Sequence, residues 1–156
     1  MDYRITGLDP KPFEHLFALD DAGLARHRAV RRIVAEKPGA PCRVSLEDAE
    51  PGEEVLLLNH EHLAADSPYR ASHAVYVRRA ARAAWDRVNE VPPALASRLL
   101  SVRAFDGAGF MAGADITEGA GLPALVAKLF ADPRAAFLHA SDIVRGAGVQ
   151  VIGFTP

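Results

Sequence analysis

Apolar positions recur along the chain in two periods, and the longer one is clearest in residues 122–131, where Leu122, Leu125, Val126, Leu129 and Phe130 fall at i, i+3, i+4, i+7 and i+8. These five share one face of a helix, wide enough to pack on a sheet. Pro123 stands near the start, where a missing amide hydrogen costs nothing, and Asp132-Pro133 ends the pattern. Residues 13–19 repeat it on a smaller scale through Phe13, Leu16 and Phe17, with His15 off the stripe. Asp20 or Asp21 is placed to cap a second short helix running to Arg28, because a carboxylate there accepts free amide hydrogens of the first turn. Composition predicts helix for residues 80–88, with Ala81, Trp85 and Val88 on the buried side, and Pro92-Pro93 opens a short helix over residues 94–100.

The shorter period marks strands. Residues 3–8 read as a first strand closed by Asp9-Pro10, and residues 29–36 alternate ambiguously. Residues 42–44 continue as a strand that puts Cys42 and Val44 on one face and Arg43 on the other. Residues 55–58 are apolar without alternation, as in a strand covered on both faces, whereas residues 73–78 alternate. Residues 101–105 and 110–116 flank Asp106-Gly107, a turn pair suited to a hairpin. Residues 136–140 and 149–154 supply two last strands. Strand runs often follow one another directly, which predicts an α+β fold with a mixed or mostly antiparallel sheet and helices packed on it. No repeat, low-complexity tract or long linker divides the chain, so residues 1–156 read as a single domain.

Composition narrows the function classes. The chain is 49% apolar and 24% charged, the ordinary balance of a folded soluble domain. Its length suffices to bury roughly 70% of the unfolded surface in one core. A net charge of -2 with both signs dispersed gives no footprint for nucleic acid. The basic run at residues 26–32 is flanked by acidic residues and reads as a solvated face. No apolar run approaches the roughly 18 residues of a membrane span, and the N-terminus lacks a signal-peptide pattern. The single cysteine adds no disulfide, and a cytoplasmic setting is expected. Gly107-Ala108-Gly109 lacks the spacing of a phosphate loop.

Candidate chemistry gathers in residues 40–78, which hold the only cysteine and three of the six histidines, His60, His62 and His73. Cys42 has a nucleophile reading if His60, His73 or His139 lies beside it, since a thiol near pKa 8.5 needs a neighbour to ionise. The competing reading is a small buried strand residue. His60 and His62, two apart on a strand, share a side and invite a metal reading with a third ligand from Glu61, Asp66, His73 or His139. No second metal motif accompanies them, and neither metal nor cofactor is expected. Arg43, Arg78 and Arg103 sit in strand-like runs, where a guanidinium needs either a protein carboxylate or an anionic ligand.

Pro41-Cys42-Arg43, Asp48-Ala49 with Pro51-Gly52-Glu53, residues 55–58, Ser67-Pro68-Tyr69, residues 102–105 and Arg145-Gly146 are distributed as in a bacterial family known only as a domain of unknown function, number 1203, which the chain resembles. Two departures stand out: that family usually has Gly-Pro-Ile before the strand beginning Ser72-His73-Ala74, and Gly-Cys where this chain has Gly146-Ala147. The resemblance implies a bacterial source and supplies no mechanism.

Two function classes follow. In the first, a small anionic ligand meets Arg43, Tyr69 and His73 at one rim of the sheet, with Arg78 and Arg103 as further ligand-binding candidates and His60, His73 or Cys42 as catalytic candidates. Arg43 is then expected to face a solvent-accessible concavity. In the second, the protein is a homo-oligomeric interaction module without catalytic activity.

Overall fold

In a computed structural model, which describes residues 2–143 and 153–155, the strands sort into two antiparallel sheets. The N-terminal part contributes β1 (Arg4–Thr6), α1 (Lys11–Glu14), α2 (Asp21–Arg26), β2 (Ala29–Ile33), β3 (Glu54–Leu63), β4 (Ala71–Arg78) and β5 (Asp86–Val88). Then come α3 (Pro93–Ala96), β6 (Leu99–Phe105), β7 (Met111–Glu118), α4 (Leu122–Phe130), β8 (Phe137–Asp142) and β9 (Gly153–Thr155). One sheet has the order β5-β1-β9-β8-β6-β7 and the other β2-β3-β4. The fold is α+β and mostly sheet.

Each helix forms where its cap and stripe allow. Asp20 accepts the amide of Gly23 and starts α2. Residues 11–18 make only a turn of α-helix followed by a 3₁₀ turn, long enough to bury Phe13 and Leu16. In α4, Leu122, Leu125, Val126, Leu129 and Phe130 are all buried, against Leu100, Val102, Ala104, Leu138 and Ala140 of β6 and β8. Each such side chain contributes roughly 1.5–3 kcal/mol relative to exposure.

Several expectations change. Residues 80–88 are not helical: Gly7 donates its amide to the Trp85 carbonyl and Trp85 donates to that of Val44, and β5 then pairs with β1. Backbone bonds to distant strands outweigh the local helix-forming composition. Residues 42–44 are not a strand: after one bridge between Cys42 and Tyr76 the chain turns over residues 43–45, so Arg43 does not reach an opposite face; Cys42, Arg43 and Val44 are all fully buried. Strands β3 and β4 also run further than expected and take in His60, His62 and His73. Of the expected strand over residues 149–154, only Gly153 and Phe154 are described, within β9; Arg145-Gly146 lies outside the described residues.

The tip of the β3–β4 hairpin is docked on the turn that joins β6 to β7. Ser67 donates its hydroxyl to the Gly109 carbonyl at 2.9 Å. Gly109 has φ +83, and a Cβ there would stand 2.2 Å from the Cβ of Ala65, so glycine is required on both counts. This contact lays the far end of β3 across the face of β6 and β8.

Candidate functional site

Strand alternation decides what meets at that crossing. On β6 and β8 the pairs Leu100–Asp142, Val102–Ala140 and Ala104–Leu138 turn toward α4, which leaves Arg103–His139 and Phe105–Phe137 on the other face. On the hairpin, His60 pairs with His73 on the face that carries Leu56, Leu58, Val75 and Val77. The register shifts between Glu61 and Leu63, making His62 the extra residue of a bulge. Bulges re-aim side chains, and this one turns His62 toward the six-stranded sheet.

Three imidazoles meet there. His62 stacks on His73 with ring centroids 4.8 Å apart and planes 9° from parallel, and His139 meets His62 edge-on at 5.3 Å. With Arg103, Phe105, Ala140 and Ser141 they line a cleft of about 20 Å³. Both ring nitrogens of His62 and Nδ1 of His139 are buried without a hydrogen-bond partner among the described residues. Burial is the main reason the imidazoles resist protonation, holding His62 down at about 3 and His139 at about 4, with the His139 and His73 rings adding to the effect on His62. His73 is lowered by burial and by the charges of Arg103 and Arg43, and His60 by burial.

Arg103 itself is exposed and makes no ion pair or hydrogen bond among the described residues. The neighbouring cation Arg70 is held by Glu61 at 2.7 Å. Tyr69 stands one ring away from the cleft, edge-on to Phe105 at 6.2 Å and to Phe110 at 6.4 Å. The structure thus brings His73 and Arg103 together with Tyr69 nearby, and adds His62 and His139 to them. His60 lies just beyond, its ring edge-on to Phe13 at 5.8 Å.

The remaining candidates lie elsewhere. Arg43 is 0% exposed, contrary to the expectation that it faces a concavity; Nη1 donates to the Pro41 carbonyl, and burial pushes its pKa down to about 10. It closes a polar core beside Arg98, which donates to Asp48 at 2.7 Å and to Asp142 at 3.1 Å. Arg78 is engaged by Glu53 at 2.9 Å and Glu47 at 3.0 Å, which leaves its charge neutralised. Its side borders an open concavity of about 490 Å³ whose walls carry Glu47, Asp48 and Glu50 against one further cation, Lys37, which Glu50 holds, a poor setting for an anion. Cys42 is 0% exposed, and its Sγ accepts amide hydrogens from Val44 and Arg78 at 3.4 Å, so a substrate has no route to it.

A metal does not suit the three rings as arranged. Lone pairs of imidazole nitrogens lie in the ring plane, and the near-parallel planes of His62 and His73 do not converge on one ion. Among the described residues, no group of three or more His, Cys, Asp or Glu is arranged to hold a metal ion.

From the sequence, His62 reads only as a metal ligand, and His139 only as a metal ligand or a neighbour that activates Cys42. Their part in the cleft depends on the bulge in β3 and on the crossing of the sheets, and neither has a local signal. His139 did carry one clue, its alternation with Phe137 and Ser141 opposite the buried Leu138 and Ala140.

The molecule is thus a two-sheet α+β protein with an imidazole-lined cleft beside an arginine that has no partner among the described residues. Residues 39–147 match the family model described as a protein of unknown function, DUF1203, and the chain belongs to that family. No curated protein and no solved structure matches the chain.

Proposed function

We propose that the protein binds a small carboxylate- or phosphate-bearing molecule where the β3–β4 hairpin crosses β6 and β8. One observation carries this reading: Arg103, an exposed guanidinium without a partner among the described residues, lines the same cleft as two imidazoles whose buried nitrogens also lack partners. Buried polar groups are nearly always satisfied, so orphaned nitrogens grouped beside a free cation point to an acceptor-rich ligand. Arg103 takes the oxyanion through its paired N–H donors, and His73 and His139 orient it. The cleft admits about one water-sized group, so a single oxygen of the oxyanion enters and the rest lies over Tyr69 and Phe110. A bacterial cytoplasmic setting belongs to this reading, supported by the single free cysteine.

The test is thermal unfolding with phosphate, succinate and benzoate, on the natural chain and on Arg103→Gln. A ligand that binds only the folded state stabilises it by about 2.7 kcal/mol at a hundred times its Kd. The variant should melt like the natural chain without ligand and bind roughly 10- to 100-fold more weakly, the equivalent of about 1.5–3 kcal/mol for a charged hydrogen bond. Equal stabilisation of both proteins, or none of either, sinks the reading.

A further inference from the structure

Strand β2 is an outer strand of the three-stranded sheet, so one side of its backbone has no strand beside it among the described residues. Its ends set the alternation: Asn59 donates to the Arg28 carbonyl, and Val34 donates to that of Glu53. Even-numbered residues therefore bond toward β3, and the amides and carbonyls of Ala29, Arg31 and Ile33 point outward. Edges of this kind are usually blunted by a bulge, a covering loop or mixed charge. Here Val30 is 44% and Ile33 64% exposed. Arg28 and Arg32 are exposed and make no ion pair or hydrogen bond among the described residues, while Arg31 is held by Glu54 and the Leu19 carbonyl.

Both faces beside this edge are hollow. A concavity of about 260 Å³ is walled by Leu24 and Ala29, which belong to the core under the three-stranded sheet. A second, of about 220 Å³, is walled by Val34, Ala40 and Val55, a separate cluster on the opposite face. An added strand sends alternate side chains to the two faces, and each face here offers them a recess. The walls carry one carboxylate apiece, Asp21 and Glu36, so charge selection comes from Arg28 and Arg32 along the strand.

We propose that β2 accepts an acidic, extended segment of a partner protein as a fourth strand. Its backbone pairs with Ala29, Arg31 and Ile33, its apolar side chains enter the two recesses, and its carboxylates meet Arg28 and Arg32. A second copy of this chain is the poorer occupant, because β2 against β2 sets the same basic row opposite itself, and like charges across a strand pair repel.

The test uses the full chain and a labelled nine-residue peptide repeating Val-Val-Glu-Glu, which puts valine on both faces of a strand, followed by fluorescence anisotropy, with a Val-Val-Lys-Lys peptide as control. The acidic peptide should bind and the basic one should not. The double variant Arg28→Glu, Arg32→Glu should weaken binding by about tenfold or more, through charges it can no longer pair. Ile33→Pro removes one outward amide, which β3 does not use, and should abolish binding while thermal unfolding still shows a folded protein. The proposal is overturned by no binding of the acidic peptide at about 1 mM, by equal binding of both peptides or by unchanged affinity in both variants. It is also overturned if light scattering shows a dimer that Ile33→Pro converts to monomer, since the edge then belongs to a second copy.

Discussion

At the scale of single residues, the cost of the cleft falls on its histidines. An unfolded chain protonates histidine near 6.5, whereas burial delays His139 to about 4 and His62 to about 3. A depressed imidazole contributes stability in full above 6.5 and loses it as the pH falls toward the folded value, because the unfolded state then binds more protons. The slope is about 1.4 kcal/mol per pH unit for each proton of difference. Urea unfolding between pH 7 and pH 4 should show the loss. His139→Phe, which keeps an aromatic ring among Phe105, Phe137 and His62, should flatten it. Comparing the two proteins separates the imidazole from carboxylates such as Glu53 and Glu54, whose lowered pKa values act below about 4.5. Parallel curves for variant and natural chain refute this account of His139. An oxyanion at Arg103 should raise the histidine pKa values toward 6.5 and so make the loss smaller, ending it at a higher pH.

At the scale of elements, α4 and the β6–β7 hairpin follow from local pattern. Leu125 and Leu129 lie on the central line of the helix stripe and are 7% and 9% exposed in the core formed with β6 and β8. Alanine at either position should cost about 2–5 kcal/mol in chemical unfolding, because the sheet beneath cannot close the gap. A loss under about 0.5 kcal/mol, the surface range, refutes this packing. Elements fail to be legible where partners are remote. Residues 80–88 look helical in composition, yet their backbone is claimed by Gly7, Val44 and β1. The end of β3 looks like a polar loop because His60, Glu61 and His62 are polar, but pairing with His73 and Ser72 continues the strand.

At the scale of the whole molecule, the two sheets are joined elsewhere than at the hairpin tip. Residues 42–46 give Cys42 and Val44 to the core under the three-stranded sheet and Leu46 to the core under α4. Arg98 joins Asp48, two residues past that segment, to Asp142 of β8. Unfolding should therefore be one cooperative transition, and Trp85 fluorescence should coincide with far-ultraviolet circular dichroism across a urea titration. Two separated midpoints would mean that the sheets fold independently. Among the described residues, no helix is long and apolar enough to cross a membrane.

Periodicity, turn residues and caps are local, so the chain by itself determined the α+β class, the α4 face, the Asp106-Gly107 turn, the Asp20 cap and the strand that holds His73. The partner of each charge is not local. Arg43, Arg78 and Arg103 look alike as isolated guanidinium groups in strand-like runs. Tertiary structure encloses the first, gives the second to Glu47 and Glu53, and leaves the third beside three imidazoles. That sorting depends on a one-residue bulge at His62 and on the close approach of Gly109 to Ala65, and contacts of this kind exist only once the two sheets have crossed.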